Sequence, residues 1–107
     1  MGEHLHRIMS SPACRIGLDI DLVHCSVPVR AEGATTVFVN KYAWSCQGHV
    51  NHPHLKPCGE VCCMHVAPIA VGSSTVIIEG RGAGSRGDAV AGCTFVATGS
   101  HNVFVGG

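Results

Sequence analysis

Seven Cys and eight His stand in a chain of 107 residues, roughly one residue in seven. Imidazole and thiolate are the standard ligands of a structural transition-metal site. Thiols can also pair as disulfides, but seven is odd, so a pure disulfide framework leaves one over. The first fourteen residues lack an apolar leader core, so the expectation is synthesis in a reducing cytosol without a signal peptide. That argues against disulfides, and the abundance of His tips the reading to metal. His49, His52, His54 and His65 crowd one stretch, together with Cys58, Cys62 and Cys63. His52 and His54 form a His-x-His pair that can chelate from an extended strand. Cys58 and Cys62 have a plausible zinc spacing, but the vicinal Cys62 and Cys63 rarely hold one ion twice. A second metal site, buried thiols and a disulfide are the alternatives there. Cys14 and Cys46 read as small core residues.

Other chemistry finds little support. There is no Gly-x-Ser-x-Gly elbow and no His-Glu-x-x-His pair, so the chain reads as a non-enzyme. Arg81 and Arg86 flank a Gly-rich loop without a P-loop pattern. Seven cations balance seven anions, which leaves no electrostatic footprint for nucleic acid. No apolar run approaches the ~20 residues of a membrane span.

The elements that position these residues are short strands. With 14 Gly and 5 Pro spread along the chain, helices of ordinary length have nowhere to form, since Gly costs a helix interior about 1 kcal/mol and Pro about 3. The chain reads as one all-β domain over residues 1–107, with residues 1–11 a flexible leading segment. An internal repeat organises it. Gly33-Ala34-Thr35-Thr36-Val37-Phe38-Val39 is matched by Gly72-Ser73-Ser74-Thr75-Val76-Ile77-Ile78 and by Gly99-Ser100-His101-Asn102-Val103-Phe104-Val105. Each copy is a Gly-led turn and a β-prone run, preceded by a second apolar run at 25–30, 66–71 or 93–98. Three hairpin-like units of this kind imply pseudo-threefold packing, since one copy cannot bury a face alone. Asp88 reads as a turn cap and Trp44 as packing.

These residues resemble the PAAR-repeat proteins, the tips of type VI secretion spikes and contractile phage tails. Pro12-Ala13-Cys14-Arg15-Ile16-Gly17 matches the family's Pro-Ala-Ala-Arg-x-Gly-Asp segment with one change. Gly82-Ala83-Gly84-Ser85-Arg86-Gly87-Asp88 matches it more loosely, and residues 97–107 match the family's closing strand. The middle copy, Lys41 to His49, departs from the Arg-x-Gly-Asp pattern, and the Cys-rich stretch Pro57 to Met64 exceeds a minimal domain. The resemblance implies a short conical three-sided β-pyramid whose apex is clamped by one metal ion, zinc or alternatively iron, from three His and one Cys. It implies a partner, a trimeric β-helical spike with one tip per trimer, and transient contact with a target membrane. It places the chain at a virion tail tip or at the tip of a secretion apparatus. Two other readings are an adaptor carrying a non-covalent effector and a redox or metal-buffer protein.

If the units converge on one apex as the resemblance implies, His24, His65 and Cys93 sit at equivalent points, six to nine residues before the leading Gly of each unit. His49, after the turn at Gly48, completes a His3Cys set, with His52 and His54 as rivals and Cys25 as a substitute beside His24. Val37, Ile77, Val103 or their neighbours would carry docking through the wide base.

Overall fold

The computed structural model describes residues 10–22, 25–58, 60–92 and 94–106. The fold is all-β, and no helix occurs among the described residues. Eight short strands pair two by two, all antiparallel. They are β1 (Ser10–Pro12), β2 (Phe38–Val39), β3 (Tyr42–Ala43), β4 (His54–Cys58), β5 (Val61–His65), β6 (Ile77–Ile78), β7 (Arg81–Gly82) and β8 (Phe104–Gly106).

The hairpins differ from the expected ones. In the first two units the β-prone run pairs with the segment after it, not with the apolar run before it: β2 with β3, and β6 with β7. The reason is the turn. Asn40 and Lys41 have φ of 51° and 77°, and Glu79 and Gly80 have 53° and 80°. Two successive positive φ values give the mirror-image turn that matches strand twist. The third run, β8, pairs instead with β1, in register Ser10↔Gly106 to Pro12↔Phe104. Ser10 and Ser11, the last two residues of the expected 1–11 leading segment, are thus paired in a strand.

Each pair contributes the same pieces, in the third case with the order permuted because β8 pairs with β1. One residue per outgoing strand is buried (Val39, Ile78 and Val105), and these three meet in one apolar cluster with Ala13, Ala34, Trp44, Cys46 and Ala83. Just beyond the strands, segments 13–15, 44–46 and 83–85 bridge one another in a closed ring, Ala13 to Ser85, Arg15 to Trp44 and Cys46 to Ala83. The amide of Cys14 donates to the Gly84 carbonyl and that of Ser45 to the Cys14 carbonyl. The Trp44 indole N–H donates to the same Gly84 oxygen at 2.8 Å, so Trp44 packs as expected. A second cluster (Cys14, Ala67, Ile69, Val90 and Val96) continues the core beyond the ring. Cys14 and Cys46 are buried free thiols, and burial pushes both thiol pKa values up, which makes them inert packing groups.

The units are also clasped in a cycle at their turns. Asn40 accepts from the Ser100 hydroxyl at 2.6 Å and donates to Asn102 at 2.9 Å. The Glu79 carboxylate accepts the amides of Thr35 and Thr36 and the Thr36 hydroxyl, which holds its pKa below the usual carboxylate range. The Thr75 hydroxyl donates to the Gly106 carbonyl at 2.7 Å, which closes the cycle. The leading glycine of the third unit is required by close approach: a Cβ on Gly99 would lie 2.7 Å from the Pro12 carbonyl oxygen.

The core also holds a buried polar network that no sequence pattern announces. Arg30 and Asp21 form an ion pair at 2.8 Å with both side chains 0% exposed. Arg30 also donates to the Ser45 hydroxyl and the His49 carbonyl. Asn51 donates to the same Asp21 oxygen at 2.7 Å and accepts the Ala67 amide, which ties three segments together.

Candidate functional site

Three turns after the ring explain the departure of the middle copy. In the first, the Arg15 amide donates to Asp19 at 2.8 Å; in the third, the Ser85 amide donates to Asp88 at 2.8 Å. In the middle copy the Cys46 amide donates to His49 Nδ1, also at 2.8 Å. A neutral imidazole thus stands where the other copies use a carboxylate. Gly17, Gly48 and Gly87 supply the positive φ of 71°, 86° and 98° that each turn needs. Asp88 is the turn cap that the sequence suggests, whereas His49, expected as the fourth metal ligand, has its Nδ1 lone pair committed to this turn.

This arrangement sets a pH dependence. Burial, and then the nearby Arg81 cation, hold the His49 pKa below its ordinary 6.5. A His with a depressed folded pKa binds its proton more readily when unfolded, so stability falls as pH drops below about 6.5. His49→Asp should keep the cap and flatten the stability curve between about pH 6.5 and 5, measured by urea denaturation across that range. A curve as steep as that of the parent would show that another group is responsible.

The hairpin of β4 and β5 gathers the His and Cys. His54 pairs with His65 at its root, with ring centroids 4.8 Å apart and planes at 85°. His54 is buried, with Nδ1 3.0 Å from the His52 carbonyl. A carbonyl only accepts, so Nδ1 carries the proton. A metal-bound imidazole is oriented in this way, by donating its other nitrogen to a backbone carbonyl. His52 itself is exposed, whereas His54 is buried. The second-loop imidazole set against His65 is therefore that of His54. His24 and Cys93 lie outside the described residues. Among the described residues, no group of three or more His, Cys, Asp or Glu side chains is placed to hold an ion.

Four other cysteines among the described residues are paired, against the expectation from compartment. Cys25 is bonded to Cys62 and Cys58 to Cys63. Paired sulfurs offer no thiolate, so Cys58, Cys62 and Cys63 do not form a second metal site in this state, and Cys25 is no substitute ligand. The pairing follows from register: Cys63 faces Lys56 across the ribbon, which places Cys58 two positions further along the facing strand, within the Cα spacing that a disulfide spans.

The β2, β6 and β8 strands present a second feature. Phe38, Ile77 and Phe104 occupy the same position in the three strands and are 57%, 59% and 54% exposed. Val37 and Val103, which the docking expectation named along with their neighbours, pack partly against the core. A strand alternates its faces, so the neighbour of each buried residue is the exposed one. Ile77 is exposed as the repeat suggests, and in the other two units the exposed residue is the next one along, Phe38 after Val37 and Phe104 after Val103.

Neither protein-family models nor curated proteins give a match to this chain.

Proposed function

We propose that the chain is a structural spike-tip protein of the PAAR-repeat type. It caps the trimeric β-helical spike of a contractile injection machine, of a phage tail or a type VI secretion system, and sharpens it for passage through a target cell envelope. The observation that carries this reading is the apolar triplet Phe38, Ile77 and Phe104. A single chain meets a threefold partner evenly only if it repeats its contact three times. Here one large apolar side chain recurs, similarly exposed, at the same position of three outgoing strands. Exposed apolar groups repeated in this way mark an interaction surface. The turn clasps and the bridged ring that fix these strands give the rigidity a piercing element needs. The role proposed is mechanical, with no catalytic step.

The clamp belongs to the same proposal. His54 and His65 would supply two nitrogen ligands to one zinc or iron ion, with His24 and Cys93 expected from the sequence as the others. A closed four-ligand site of this type is structural and cross-links the segments that bear it. Elemental analysis of the purified protein should give one tightly held zinc or iron per chain, and His65→Ala should reduce this to about zero. Equal metal content in the parent and the variant would remove His65 from the clamp.

The docking test is retention. Tagged protein co-expressed with a trimeric β-helical spike protein of the same source should retain the spike through purification. Spike that washes through, with both proteins folded, would count against the tip reading.

A further inference from the structure

We propose that hairpin β4–β5, beyond its root at His54 and His65, is a redox-dependent element, fixed to the body by disulfides and released from it by reduction while the root and the rest of the fold persist. This does not rest on the tip reading. The hairpin pairs only with itself, since β4 and β5 form their own two-stranded sheet. Its outer strand contributes nothing to either core cluster: Val61, Cys62, Cys63 and Met64 are all exposed. An isolated two-stranded ribbon is marginal in water. Hydrogen bonds join its inner strand to the body. The Leu55 amide donates to the Ser26 hydroxyl, its carbonyl accepts from the Cys25 amide, and Lys56 donates to the Gly92 carbonyl. Cys25–Cys62 ties the outer strand to the same 25–26 segment, across 37 residues of sequence. Cys58–Cys63 closes the ribbon near its turn. Cross-links act by restricting the open ensemble, so an element with little packing depends on them most.

Access and reactivity agree. Cys25, Cys62 and Cys63 are exposed to a reductant, whereas the free thiols Cys14 and Cys46 are buried. Burial keeps those two protonated, which prevents them from attacking the bonds. Each opening consumes one small dithiol. Its thiolate attacks one sulfur to give a mixed disulfide, and its second thiol then expels the protein thiol. The protein disulfide gains two electrons and two protons, and the dithiol leaves as its cyclic disulfide. A low-molecular-weight disulfide such as oxidised glutathione reverses the exchange.

The test uses the full chain, purified in air. Alkylation under denaturing, non-reducing conditions should leave four of the seven cysteines unmodified until a reductant is added. Hydrogen exchange, read by mass spectrometry with and without dithiothreitol, should then accelerate at least tenfold across residues 55–64. Segments 12–22 and 75–90 should change by less than twofold. Cys25→Ser without reductant should give most of that acceleration, because it removes the cross-link to the body. All seven cysteines alkylated at once, unchanged exchange in the hairpin, or equal acceleration along the whole chain would each overturn the proposal.

Discussion

Arg30→Ala should cost about 3–5 kcal/mol of stability, the range for removing one partner of a buried ion pair. In a domain of this size that corresponds to a fall in Tm on the order of 15 °C or more. The physical cause is the charge left behind. Asp21 is 0% exposed, and its Oδ1 has no hydrogen-bond partner among the described residues. Without Arg30, Asn51 alone would face an ionised carboxylate in the interior. Arg30→Lys should recover little, because the planar fork reaches Asp21, Ser45 and the His49 carbonyl at once and a single ammonium cannot. Replacing both partners together by apolar residues should cost clearly less than the two single changes summed. Chemical denaturation of the parent and these variants measures all of this. A loss below about 1 kcal/mol for Arg30→Ala would mean that water reaches the pair.

The second large effect concerns docking. Phe38→Asp, Ile77→Asp and Phe104→Asp, made together, should weaken retention of a trimeric spike at least 100-fold, or about 2.8 kcal/mol. Buried interface anchors commonly exceed 2 kcal/mol each. Stability should change little, because the three side chains stand outside the core. Single changes should each weaken retention by a similar factor, because the three positions are equivalent. One variant that alone abolished binding while the other two did nothing would point to an asymmetric contact and away from a threefold partner.

Part of this architecture is legible in the sequence, and the rest is hidden for identifiable reasons. The all-β class comes from Gly and Pro spacing, and the three outgoing runs that begin at Val37, Val76 and Val103 lead directly into β2, β6 and β8. The hairpin partners do not show. The turn at Asn40-Lys41 has none of the usual glycine signal, and Lys41 is an unusual residue at a φ of 77°. The pairing of β8 with β1 joins Gly106 to Ser10, which local pattern cannot show. His49 looks like a ligand because imidazole has two roles. Its place in a turn that elsewhere uses Asp19 and Asp88 is clear only from the hydrogen bond to Cys46. Arg30 and Asp21 look like surface charges, since nothing local distinguishes a buried pair. An argument from compartment disfavours disulfides, and cross-strand register is the information that brings Cys58 and Cys63 together.

The mass of the intact complex with a trimeric β-helical spike, measured under native conditions, tests the central claim most directly. The threefold reading predicts one copy of this chain for three spike chains. A stable complex of three with three, or of one with one, would contradict it, because each spike chain would then hold its own copy and the repeated triplet would have no threefold partner to match.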